Sequence, residues 1–169
     1  MAISIETLTE GCCKVIKKYD ILVTDENRKD KNIKFVDYVL DLENKYLFIE
    51  EKSFILAILP PRNGEISNET IENFKNLNFI EKELKICKAS FRLISDSNQK
   101  LKDTLLYLYK KFDNLEKIEK SPFIYLYCKS GLREVDKILT TSLSLKNRKY
   151  SFLSCDKLEK FINTIKEKT

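Results

Sequence analysis

The 169-residue sequence predicts a single α/β domain, and three observations predict it. Stretches with apolar residues every three to four positions alternate with short runs dense in Val, Ile, Phe, Tyr and Leu, as helices alternating with buried strands would. The length fits one domain of roughly 100–200 residues. At 43% hydrophobic residues the chain can build a sizeable core, and neither an internal repeat nor a low-complexity linker divides residues 1–169.

Taken in order, residues 5–19 place Ile5, Leu8, Cys12, Val15, Ile16 and Tyr19 at helical spacing, which predicts an opening amphipathic helix. ILV at 21–23 reads as a short strand, and DENRKDKN at 25–32, without one apolar residue, as a solvated loop. Residues 33–42 and 46–59 are β-rich runs separated by Glu43-Asn44-Lys45, which predicts an antiparallel hairpin. Pro60 to Gly64 stop the second strand. Ser67 can cap a helix running to about Lys88, and Ser95 or Asp96 a second one to about Phe112. FIYLYC at 123–128 reads as a buried strand, 132–143 as a helix and 149–155 as another strand, with Asp156 capping a terminal helix.

Composition removes many chemistries. There is no histidine, so a Ser-His-Asp triad, a Cys-His dyad, a His-ligated zinc site and an imidazole base are excluded within this chain. Gly11, Gly64 and Gly131 are too scattered for a G-x-G-x-x-G turn or a Walker loop. Cys12, Cys13, Cys87, Cys128 and Cys155 lack C-x-x-C spacing and read as reduced, buried thiols of an intracellular protein. With no basic-then-apolar leader and no apolar run near the ~18 residues of a membrane span, the expected location is the cytoplasm.

The hairpin carries the most informative polar residues. Strand side chains alternate faces, so Glu50 and Lys52 share one face while Leu47, Ile49 and Glu51 share the other. Phe35, Asp37, Val39 and Asp41 share a face of the first strand. With the turn centred on Glu43-Asn44, paired positions sum to 87, which sets Asp37 opposite Glu50 and Asp41 opposite Tyr46. Directly opposed residues have Cβ atoms about 4.5–5.5 Å apart, and two like charges there need a positive group between them. A divalent cation and the Lys52 ammonium would serve, and Mg²⁺ suits a pair of carboxylates. Such an ion polarises a phosphoryl oxygen and activates a bound water without help from histidine. The plain alternative for an E-x-K after a β-rich run is an exposed cross-strand ion pair.

At these residues, Val36-Asp37-Tyr38-Val39-Leu40, a turn, then Phe48-Ile49-Glu50-Glu51-Lys52-Ser53, the chain resembles the PD-(D/E)xK phosphodiesterase superfamily of restriction-endonuclease-like nucleases. Val36 stands where the family name has proline. The resemblance implies a mixed β-sheet core flanked by helices, with the motif on the antiparallel hairpin. It also implies an Mg²⁺- or Mn²⁺-dependent nuclease cleaving phosphodiester bonds, with DNA as the expected substrate. Carried over by position, Asp37 and Glu50 are metal ligands, the Glu51 carbonyl is a third, and Lys52 is the catalytic lysine. Glu10, or else Glu6, holds the place of an acidic residue on the first helix that completes the metal site in some members, and Gln99 that of a polar residue on the following helix. A homodimer is compatible with this activity, because cutting both strands of a duplex takes two sites. The alternative is a nuclease-like fold that serves as a non-catalytic binding or assembly module.

The net charge of +5 suits a polyanion without proving one. Lys14, Lys17 and Lys18, then Arg28, Lys29 and Lys31, then Lys146, Arg148 and Lys149 are candidate phosphate contacts or solvated faces. Tyr107, Tyr109, Phe112, Phe123, Tyr125 and Tyr127 read as core rather than base-stacking platforms.

Overall fold

A computed structural model of the chain describes residues 2–4, 13–24, 34–95, 97–131, 133, 136–137 and 151–168. Five strands form one mixed sheet: β2 (Ile21–Thr24), β3 (Tyr38–Asp41), β4 (Tyr46–Glu51), β6 (Phe123–Tyr127) and β7 (Ser151–Ser154), in that spatial order. The first three pair antiparallel as a meander; β4, β6 and β7 run parallel. β1 (Ile3–Ser4) and β5 (Glu65–Ile66) make a separate two-stranded ladder. Between β4 and β6 the chain forms α1 (Phe54–Ile58), α2 (Asn68–Asn76), α3 (Phe79–Ser95), α4 (Ser97–Phe112) and α5 (Leu115–Glu119), and it ends in α6 (Leu158–Glu167).

Both sheet faces are covered, which is why β4 is buried at every position and carries no clean polar alternation. On one face Val39, Tyr46 and Phe48 pack with Leu108 of α4, while Tyr125 and Tyr127 meet Phe54, Ile55, Ile86 and Ala89 of α1 and α3. On the other, Leu47, Ile49, Ile124 and Leu126 meet Leu158 and Ile162 of α6 and Ile16 of a 3₁₀ turn at Lys14–Lys18.

The hairpin register is the predicted one: Tyr38 faces Ile49, Val39 Phe48, Leu40 Leu47 and Asp41 Tyr46, every pair summing to 87. The length of its second strand differs from the expectation. β4 ends at Glu51, the Lys52 N–H closes the ladder on the Leu126 carbonyl at 2.8 Å, and residues 54–58 turn into α1. An unbroken apolar run satisfies a buried helix as well as a buried strand, so periodicity alone does not separate them. The single helix expected from Ser67 to Lys88 is two, broken at Leu77-Asn78. Asn78 starts the second as a reciprocal cap: its Oδ1 accepts from Glu81 N at 2.9 Å, and Glu81 Oε2 accepts from Asn78 N at 3.0 Å. α5 was not expected. Of the opening helix only residues 13–19 are described, and they form the 3₁₀ turn; most of the predicted 132–143 helix also lies outside the described residues.

The reading of the cysteines as reduced buried thiols is corrected. Cys13 and Cys155 are joined in a disulfide across 142 positions, Cys128 is also disulfide-bonded, and Cys87 keeps its thiol but is exposed. A cysteine among apolar neighbours looks alike in sequence whether its partner is solvent-excluded packing or a distant sulfur. No helix among the described residues is long and apolar enough to cross a membrane.

Candidate functional site

The end of the hairpin away from its turn gathers four charged side chains. Asp37 immediately precedes β3 and Glu50 is the penultimate residue of β4, so the ladder that ends at Tyr38–Ile49 is continued through their side chains. The Asp37 N–H donates to Glu50 Oε2 at 3.2 Å, and the Glu51 N–H donates to Asp37 Oδ2 at 2.7 Å. These bonds hold both carboxylates against the strands. Glu50 Oε1 then accepts from Lys52 Nζ and from Lys100 Nζ, both at 2.7 Å, and Lys100 Nζ lies 3.3 Å from Asp37 Oδ1. Two carboxylates and two ammonium groups form one neutral cluster.

Burial makes that balance necessary. The Glu50 side chain is fully buried, and those of Lys52, Asp37 and Lys100 are 11%, 17% and 22% exposed. An ionised carboxylate inside protein persists only with compensating charge and hydrogen bonds. For Lys100, burial works against the ammonium. The hydrogen bond to Glu50 and the charges of Asp37 and Glu50 outweigh it, and its pKa stands above the usual lysine value.

Lys100 is the member that sequence reasoning missed. On α4 the buried stripe runs through Ser97, Thr104 and Leu108, and Lys100 is the long cation at helical spacing along it. That spacing was the available signal. Thr104 fixes the geometry: its Oγ1 accepts from Val36 N at 3.0 Å and donates to the Lys100 carbonyl at 2.7 Å, tying the residue before Asp37 to the helix turn that carries Lys100.

The structure therefore brings together Asp37, Glu50 and Lys52. Gln99, one residue before Lys100, is exposed and donates from Nε2 to Asp103 Oδ1 at 2.7 Å. Glu51 is buried with its side chain on the opposite face, as strand alternation requires, and its backbone stays beside Asp37. Glu10 and Glu6 lie outside the described residues. Asp41, four residues along the strand, pairs with Lys117 of α5 at 2.6 Å. Among the described residues no three His, Cys, Asp or Glu side chains converge as a metal-binding group.

Of the basic clusters, Lys14, Lys17 and Lys18 are exposed within the 3₁₀ turn, whereas 28–31 and 146–149 lie outside the described residues. Tyr125 and Tyr127 are core, and Tyr107 stacks edge-on against Phe35 at 5.0 Å. Tyr109 and Phe112 are not core; they are exposed on α4. The four-residue cluster sits at the carboxyl ends of the parallel strands, where open α/β sheets place their ligand crevices. In comparison with known proteins the chain matches no family model, no curated relative and no solved structure.

Proposed function

We propose that the chain is an Mg²⁺- or Mn²⁺-dependent nuclease that hydrolyses phosphodiester bonds in DNA, built on a restriction-endonuclease-like fold. One observation carries the reading: Asp37 and Glu50, on adjacent strands, reach the same ammonium group, while Lys52, two residues beyond Glu50, bonds the same carboxylate. The sheet supports the fold, since a mixed sheet flanked by helices, with the motif on its antiparallel hairpin, is the arrangement the family resemblance implies.

The donor set fits a hard divalent cation. Carboxylates that can share one ammonium can share one metal ion, with the Glu51 carbonyl and waters as further oxygen donors. When bound, such an ion polarises a phosphoryl oxygen and lowers the pKa of a coordinated water. The protein's own share is positional. The Asp37 N–H and Lys52 hold Glu50 in place, and an ion shared with Asp37 would take the position that the Lys100 ammonium now fills. Lys52, held by Glu50, orients the attacking water or offsets charge on the phosphate. Lys100 adds a second ammonium where phosphate oxygens would gather.

The test is a metal titration paired with cleavage. Mn²⁺ at a hundred times its Kd should stabilise the wild-type chain by about 2.7 kcal/mol, read as a rise in melting temperature, and Asp37→Asn should abolish the rise. DNA cleavage in Mn²⁺ should disappear in Asp37→Asn, Glu50→Gln and Lys52→Ala with the fold intact. A wild-type chain that neither gains stability from Mn²⁺ nor cuts linear, circular, branched or single-stranded substrates would remove the proposal. A second reading, a non-catalytic binding or assembly module, is favoured by one observation: the two lysines already neutralise both carboxylates. It predicts no thermal response to Mn²⁺.

A further inference from the structure

The outer side of α3 carries a row of apolar side chains that the described residues leave exposed. Ile80 is 76% exposed, Leu84 52% and Phe91 79%, with the exposed Cys87 between them. The inner side of the same helix is the core side, with Ile86, Ala89, Ser90 and Ile94 buried. The outer residues are spaced four, three and four apart, the spacing of a coiled-coil seam, and they span about three turns of helix. An amphipathic surface helix needs one apolar face, and this one has two.

We infer that the outer face of α3 is the interface with a second copy of the same chain, the two α3 helices packing antiparallel about a two-fold axis. An isologous interface must be complementary to itself, which most apolar faces are not. This one is. Set antiparallel with Leu84 against the partner's Cys87, it also places Ile80 against the partner's Phe91, so each layer joins a larger side chain to a smaller one. Glu81 and Lys88 flank the seam at equivalent heptad positions, both exposed, and the antiparallel arrangement brings the acid of one copy beside the base of the other on both sides of the axis. A partner of unrelated sequence would not require that internal symmetry. The inference stands apart from the metal site, since the row is on the side of α3 away from the sheet.

Sedimentation equilibrium of the full chain tests it, with oxidative cross-linking to fix the register. The wild type should dimerise reversibly, and Leu84→Glu should weaken the dimer at least about tenfold, or 1.4 kcal/mol. Lys88→Glu should weaken it as well, and adding Glu81→Lys to Lys88→Glu should restore it, a rescue that loss of folding could not produce. Under a mild oxidant the Leu84→Cys chain should cross-link through Cys87 of its partner, while the wild type should not. A monomer at every concentration, a dimer indifferent to Leu84→Glu, or ready Cys87-to-Cys87 cross-linking of the wild type, which marks a parallel pair, would overturn it.

Discussion

Each end of the β3–β4 hairpin carries an aspartate on the same face, about 13 Å apart along the strand, and the helical layer meets both with the same device. At one end Lys100 pairs with Asp37, and Thr104, one turn further, accepts from the Val36 N–H just before β3 while donating to the Lys100 carbonyl. At the other Lys117 pairs with Asp41, and Ser121, one turn further, accepts from Tyr46 N at 2.7 Å while donating to the Lys117 carbonyl at 2.6 Å. The residue across the hairpin makes the difference. Opposite Asp41 stands Tyr46, whose ring lies 4.4 Å from the Lys117 ammonium, and the charge balance is complete at one acid and one base. Opposite Asp37 stands Glu50, fully buried, and the balance needs a second cation, here Lys52. A lysine–aspartate pair capped by an aromatic ring is a fastening. Two opposed carboxylates leave a larger demand for positive charge, which here two lysines meet.

Four measurements break or sharpen that comparison. The largest expected effect is common to both ends: Cys13→Ser with Cys155→Ser opens a link across 142 positions on the other face of the sheet. Chain entropy sets the loss at up to about 5 kcal/mol, and denaturant unfolding should show it with the two hairpin ends affected alike. Next, Glu50→Gln should lower Mn²⁺-dependent cleavage by at least about a thousandfold, whereas Asp41→Asn should leave it unchanged; equal losses would erase the distinction. Third, Thr104→Ala and Ser121→Ala should each cost about 1–3 kcal/mol by stripping a partner from a hairpin N–H, that of Val36 or Tyr46. Only the first should also diminish stabilisation by Mn²⁺, because only Thr104 lies behind the carboxylate pair. Smallest, Lys117→Met should cost about 1 kcal/mol or less and leave the thermal response to Mn²⁺ intact.

The hairpin was legible because its determinants are local. A short turn at Glu43-Asn44 and a side-chain period of two leave one register, and that register sets Asp37 against Glu50. Lys52 followed from its place on the same strand. Lys100 was overlooked: its spacing with Ser97, Thr104 and Leu108 puts it on the buried stripe of α4, but that this stripe meets the two carboxylates is set by the packing of the helix over the sheet. The break at Leu77-Asn78 was readable as an Asn-x-x-Glu cap and was missed, since the apolar spacing continues across it. The apolar run at 54–58 was ambiguous in principle, as strand and buried helix make the same demand on composition.

By itself the sequence determined the pairing register of the hairpin, the encounter of two carboxylates across it, and the chemistries that a chain without histidine cannot perform. Tertiary structure alone decided that Lys100 joins Lys52 at those carboxylates, where a continuous apolar run stops being strand, and that Cys13 finds Cys155. The physical reason is range. Turn geometry and side-chain alternation act over a few residues and leave their mark in spacing. The contact of Lys100 with Glu50, 50 positions away, and the disulfide across 142, exist only once helices have packed on both faces of the sheet.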